Sequence, residues 1–165
     1  MRTIVRSIVL ALFLSALPLA AQTGVWTAVG STGSIDEASL GIYAVGTTNL
    51  FHQTGATGTI VSRFNVTNTF GGGLTDTPPW TTLEMTYFDI DPASTVSATL
   101  FRVNRCSNVA TPLCTVTSID NNLATCATCT FPAGLNFGAN NYVVEVRVTR
   151  TATNTSAQLF GLRIF

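Results

Sequence analysis

Thr59-Ile-Val-Ser-Arg-Phe-Asn-Val-Thr67 and Tyr142-Val-Val-Glu-Val-Arg-Val-Thr-Arg150 are the two stretches that decide the fold. In the first, Ile60, Phe64 and Val66 fall on one side of an extended chain, and Arg63, Asn65 and Thr67 fall on the other. In the second, Val144, Val146 and Val148 oppose Glu145 and Arg147. A period of two with one apolar side is the pattern of a strand whose sheet is packed on one face.

The same alternation recurs outward from these runs. It predicts strands at Leu40 to Val45, Asn49 to Gln53, Thr81 to Ile90, Thr95 to Asn104, Cys114 to Ile119, Thr125 to Phe131 and Ala157 to Phe165. Gly24 to Val29 is a further candidate. Gly, Asn, Pro and Asp separate the runs. Gly71, Gly72 and Gly73, followed by Pro78 and Pro79, mark the longest loop, and Asn136 to Asn141 mark another. No stretch keeps a helical period long enough for a βαβ crossover. The expectation is an all-β, antiparallel, jelly-roll-like β-sandwich of about eight to ten strands.

The chain opens with Arg2 and Arg6, runs through apolar residues from Ile8 to Leu17, and reaches Ala20 and Ala21 after Pro18. That order is the plan of a secretory signal peptide, and the apolar run is too short for a membrane span, which needs roughly 20 residues. The expected division is a cleaved signal peptide at 1–21 and a single β-sandwich domain at 22–165, exported to the extracellular space or cell surface, or retained in the periplasm. No integral membrane anchor is expected. Beyond the leader, six arginines face eight carboxylates, a formal charge of −2, and the chain contains no lysine. This is no nucleic-acid footprint. The surface it implies is neutral and rich in hydroxyls.

Cys106, Cys114, Cys126 and Cys129 lie in one quarter of the chain, and an even count in an exported protein points to disulfides. Sequential pairing, Cys106 with Cys114 and Cys126 with Cys129, is favoured over the two pairings that tie the Cys114 strand to the strand holding Cys126 and Cys129. The alternative reading of Cys126-Ala-Thr-Cys129 as a redox or zinc motif lacks its usual setting, since the redox motif belongs at a helix N-terminus.

His52 is the sole histidine and has no serine in an elbow motif to serve, so it reads as a surface strand residue. Asp89 and Asp91 are too close in sequence to flank a sugar as a glycosidase pair. They read first as solvated turn acids, and second as ligands for Ca²⁺, the one cofactor the chemistry suggests. Trp80, Tyr87, Phe51 and Tyr142 are either core or an aromatic platform for sugars, with Trp80 beside Pro78 and Pro79 the candidate for exposure. Trp80 and Tyr87 are the candidate ligand-binding pair. No catalytic constellation can be assembled, and a non-catalytic role is expected.

Trp80-Thr-Thr-Leu-Glu-Met-Thr-Tyr-Phe-Asp-Ile-Asp91, Leu100-Phe-Arg102, Tyr142-Val-Val-Glu-Val146 and the closing Leu159-Phe-Gly-Leu-Arg-Ile-Phe165 resemble secreted bacterial jelly-roll proteins of unassigned function. The resemblance spans about half the chain, implies fold and export, and carries no catalytic residue. Two roles follow as expectations. The first is a secreted or surface interaction protein that associates with itself or with other surface components, because charged edges are what usually prevent strands from pairing between molecules. The second is a carbohydrate-binding module. A small outer-membrane barrel fits the length and the terminal Phe165, but it is opposed by the clustered cysteines and the absence of aromatic girdles.

Overall fold

The computed structural model describes residues 24–70 and 77–165; the leader at 1–21 and the glycines Gly71, Gly72 and Gly73 lie outside the described residues. The strands are β1 (Trp26–Val29), β2 (Ser34–Ile35), β3 (Tyr43–Val45), β4 (Leu50–His52), β5 (Gly58–Val66) and β6 (Thr82–Asp89). They continue as β7 (Ser94–Asn104), β8 (Ala110–Thr117), β9 (Asn121–Thr130), β10 (Asn140–Arg150) and β11 (Ala157–Ile164). One sheet has the order β3-β4-β11-β6-β9, with β1 also paired to β11; the other has the order β2-β5-β10-β7-β8. Every pairing is antiparallel. Among the described residues the strands form two separate sheets rather than one closed barrel.

The two deciding stretches lie side by side as β5 and β10, in register from Tyr142 opposite Val66 to Arg150 opposite Gly58. Their apolar sides, with Ala98 and Leu100 of β7, form one wall of the core. Leu50, Leu83, Met85, Tyr87, Leu159, Leu162 and Ile164 of the β11 sheet form the other. Each fully buried Val, Leu or Ile contributes about 1.5–3 kcal/mol relative to exposure, so the alternating pattern is also the main source of stability.

Three boundaries differ from expectation for local reasons. β3 starts at Tyr43 because Asp36 caps a 3₁₀ turn at Glu37–Ser39 by accepting from Ala38 N (3.0 Å), and Gly41 then takes φ +88°. β8 begins at Ala110 and runs through Pro112, which is tolerated because β8 is an edge strand with a register shift opposite Leu100 and Phe101. β9 already begins at Asn121, so the connection after β8 is shorter than expected.

The disulfide is Cys114–Cys129, with Cα atoms 5.9 Å apart, while Cys106 and Cys126 are free and exposed. Sequential pairing is therefore corrected. Residues three apart on an extended strand point to opposite faces, and Cys129 lies opposite buried Leu83 whereas Cys126 lies opposite outward-facing Thr86. Cys129 thus points inward to meet Cys114, which lies opposite buried Leu100. Cys106 sits in the turn after β7, its N–H donated to Asn104 Oδ1 (3.0 Å). The same separation leaves the Cys126/Cys129 pair unable to act as a local dithiol.

Candidate functional site

Three of the four aromatics proposed as a platform are core. Trp80 is 3 % exposed and donates its indole N–H to the Gly24 carbonyl (2.8 Å), and it meets Phe137 edge-on with ring centroids 6.2 Å apart. Phe137 in turn packs on Tyr142 at 4.8 Å, and burial raises the Tyr142 pKa above the usual phenol value. Tyr87 is fully buried, and its hydroxyl accepts from Ile119 N (3.0 Å). These rings have polar tips that need buried partners and find them, so their faces are spent on packing.

Asp89 and Asp91 are likewise not brought together. β6 ends at Asp89, whose side chain follows Leu83, Met85 and Tyr87 inward and is 1 % exposed, against the solvated reading. Ser94 Oγ donates to its Oδ1 and Ser118 Oγ to its Oδ2, both at 2.5 Å. The buried carboxylate is thereby satisfied by two hydroxyls and ties the β6–β7 turn to the end of β8. Asp91 Oδ1 instead accepts from Ala93 N (2.8 Å) within the turn. Among the described residues no group of three or more His, Cys, Asp or Glu side chains converges.

His52 is a further correction: it is buried, on the same inward side of β4 as Leu50. Nε2 donates to the Gly58 carbonyl (3.0 Å), which assigns the proton to that nitrogen, while buried Nδ1 has no partner among the described residues. Burial is the main cause holding its pKa below the usual imidazole value, with the charge of Arg150 acting in the same direction. Arg150, also buried, donates Nε to the Ala56 carbonyl (2.8 Å), Nη1 to that of Thr155 (3.2 Å), and Nη2 to those of Gln53 (3.0 Å) and Ala56. Its fork fastens two loops to the end of β10.

Phe51, the fourth proposed aromatic, faces outward, and it has company. Gln158 of β11 lies opposite Phe51 on one side and opposite Phe88 on the other, so Phe51, Gln158 and Phe88 form a row across β4, β11 and β6. Inward neighbours flank each member: Leu50 and His52, Ala157 and Leu159, Tyr87 and Asp89. Strands about 4.8 Å apart place the two phenylalanine Cα atoms roughly 10 Å apart. Phe160 is the extra residue of a bulge between Leu159 and Gly161, is partly exposed, and lies outside the core cluster.

Polar groups complete the face. Asn49 Nδ2 donates to Gln158 Oε1 (2.7 Å), and Gln158 Nε2 donates to Ser156 Oγ (3.3 Å), which fixes both amides beside Phe51. A Cβ at Gly46 would collide with Asn49 Oδ1 and sit 3.7 Å from the Phe51 ring, so the approach depends on glycine there. Further along the same face, Arg163 lies 3.8 Å from Glu84 and stacks over Phe165 at 4.5 Å. The result is a shallow surface of three rings, two amides and hydroxyls such as Thr86. The Phe88 signal was present in the alternation of Leu83, Met85 and Tyr87, and the Phe160 signal in that of Ala157 and Leu159; nothing local in the sequence marks the bulge, which returns Leu162 to the inward side.

Two other hollows are open grooves. One, of about 610 Å³, lies between β1 and the β2–β5 edge and includes Trp26, Ala28, Ser34 and Phe64. The other, of about 290 Å³, lies on the outside of the β10 sheet around Phe101, Val103 and Val143, rimmed by Arg63 and Glu145. Arg63 is held by Asp36 (2.7 Å) and Glu145 (3.0 Å), and its hydrogen bond to Asp36 is the main cause lowering that carboxyl's pKa. The cation there is already neutralised.

An all-β sandwich with one aromatic outer face is the class defined by these features. No family model matches the sequence, and no curated protein matches it. Solved structures with a similar fold include a family two carbohydrate esterase from Cellvibrio japonicus, at 11 % identity over 86 % of this chain and 33 % of that one, TM-score 0.42. PfGH50B is similar at 10 % identity over 84 % of this chain and 23 % of that one, TM-score 0.47. The family 11 carbohydrate-binding module from Clostridium thermocellum, in complex with a β-1,3-1,4-mixed-linked tetrasaccharide, is similar at 8 % identity over 86 % of this chain and 87 % of that one, TM-score 0.43. The chain thus spans about a third and about a quarter of the first two proteins. The likeness extends to the two-sheet architecture and no further.

Proposed function

We propose that this chain is an exported, non-catalytic binding domain that holds neutral carbohydrate chains on the outer face of the β11 sheet. The observation that carries this reading is the placement of Phe51, Phe88 and Phe160 outside the core on one face, around the fixed Asn49–Gln158 amide pair. The three rings are partly buried and lie outside the core, and the flat apolar faces of sugars offer a partner to the surface they leave uncovered. The amides and Thr86 supply donors and acceptors for sugar hydroxyls, the mixture expected of a small-molecule site.

Neutral chains are favoured because Glu84 and Arg163 are paired and residues 22–165 carry a formal charge of only −2. No resident cation is required in this reading, since the carboxylate best placed by sequence, Asp89, is occupied by two serine hydroxyls. Among the described residues no helix is long and apolar enough to cross a membrane. The apolar leader at 1–21 supports export.

The test is retention of residues 22–165 in gels containing soluble mixed-linkage β-glucan, xylan or galactomannan, with and without EDTA. The reading expects retention by at least one polysaccharide, unchanged by EDTA and weakened by Phe51→Ala or Phe88→Ala. Migration unaffected by all three would remove it.

A further inference from the structure

Among the described residues, β9 is the outermost strand of its sheet and pairs with β6 alone. Its other edge presents backbone N–H and C=O groups, a template for pairing with another chain. The remaining sheet ends are blunted. β1, β2 and β3 have four, two and three residues, and β8 carries Pro112 and a register shift. β9 shifts register against β6 at its start, between Asn121 and Thr125, but its ten residues, Asn-Asn-Leu-Ala-Thr-Cys-Ala-Thr-Cys-Thr, include no charge, proline or glycine. Leu123 is 69 % exposed on it, and Cys126, near its centre, is exposed and free.

We infer that β9 is a self-pairing edge: two copies of the chain join antiparallel through β9 about a two-fold axis at Cys126, and a Cys126–Cys126 disulfide between them locks the joint. This register sets Thr125 opposite Ala127, Ala124 opposite Thr128, Leu123 opposite Cys129 and Asn122 opposite Thr130, each twice. Opposed Cα atoms in an antiparallel pair are about 4.5 or 5.5 Å apart, and both values fall within disulfide range. A second copy is the fitting occupant because an uncharged strand meets no like charge when paired with itself. The Cys114–Cys129 bridge anchors β9 to β8 and so presents the edge in a fixed position.

The bond forms by exchange with a low-molecular-weight disulfide such as oxidised glutathione. The Cys126 thiolate of one copy attacks that disulfide and releases one thiolate. The Cys126 thiolate of the second copy then attacks the Cys126 sulfur of the mixed disulfide and releases the other, so two protein thiols are oxidised and one glutathione disulfide is reduced to two thiols. The joined sheets would set two aromatic faces side by side, giving two-point attachment to a long polymer. The joint itself does not depend on the carbohydrate reading.

The experiment incubates residues 22–165 in a glutathione redox buffer and follows non-reducing electrophoresis, intact mass and peptide maps. The expected result is a dimer with a Cys126–Cys126 cross-linked peptide, retained in Cys106→Ser and absent in Cys126→Ser. Ala124→Lys combined with Thr128→Lys keeps the thiol but sets lysines opposite each other, and should slow dimer formation about tenfold. A monomer throughout, a dimer joined through Cys106, or a double-lysine variant that dimerises at the unsubstituted rate would each overturn the proposal.

Discussion

Cys114 of β8 and Cys129 of β9 are bonded to each other across the open side of the sandwich, joining the outermost strand of one sheet to the outermost strand of the other. Among the described residues no backbone ladder links these two strands, so the bridge supplies a covalent closure there. The cysteines are 15 residues apart, and the loop-closure relation for a ring of that size gives about 3 kcal/mol. Replacing both with serine should lower unfolding stability by roughly that amount, read from urea midpoints without reductant. An unchanged midpoint would mean that packing alone closes this side.

Trp80 and Phe51 should separate stability from binding. Trp80→Ala removes a buried ring and its hydrogen bond to Gly24, and should cost about 3–5 kcal/mol. Phe51→Ala removes a partly buried, outward ring, should cost about 1–2 kcal/mol, and should weaken carbohydrate retention. Thermal unfolding and affinity gels on the same two variants distinguish the roles; the reverse assignment would place the binding face around Trp80.

His52 predicts a stability change on the acid side of neutrality. In the folded chain its pKa lies below the ordinary value near 6.5, chiefly through burial, so the unfolded chain takes up the proton first. The contribution is fully present above about pH 6.5 and is lost as the pH falls from there through the folded pKa. Asp36, held low mainly by its hydrogen bond to Arg63, acts in a separate window, its contribution being lost only as the pH falls below about 3.8. Urea midpoints should therefore decline between pH 7.5 and pH 5, and His52→Gln, which keeps a donor for Gly58, should flatten that decline. An equal slope in the variant would assign the effect elsewhere.

Arg150 reaches the carbonyls of Gln53, Ala56 and Thr155 with one rigid fork. A lysine presents a single point charge and cannot span them. Arg150→Lys should lose about 2–4 kcal/mol, a large effect of the kind expected when a buried polar network is broken, and limited proteolysis should detect faster cleavage at residues 53–57. Unchanged cleavage would show that these loops are held by other contacts.

The sandwich was legible in the sequence because inward and outward positions alternate without a break along β5, β6 and β10. The same alternation marked Phe88 as outward and separated Cys126 from Cys129, which a reading based on spacing in the chain overlooks. Trp80, Tyr87 and Asp89 were harder. Each carries a polar group that suggests exposure, and only the folded chain supplies the Gly24 carbonyl, the Ile119 amide and the Ser94 and Ser118 hydroxyls that allow burial. His52 belongs with them, since its partner Gly58 lies across a turn that is not evident from Asn-Leu-Phe-His-Gln. The inward placing of Leu162, three residues after inward Leu159, depended on a bulge set by pairing between β11 and β6.

The most direct measurement is titration calorimetry of residues 22–165 with an oligosaccharide from whichever polysaccharide retains the chain, comparing the unsubstituted protein with Phe51→Ala and Phe88→Ala after both variants are shown to unfold at similar temperatures. Loss of a stacked ring is worth about 0.5–1.5 kcal/mol, so each variant should bind roughly three- to tenfold more weakly. Equal affinity in all three proteins, or no heat with any of the three polysaccharide classes, would contradict the outer face of the β11 sheet as the carbohydrate site.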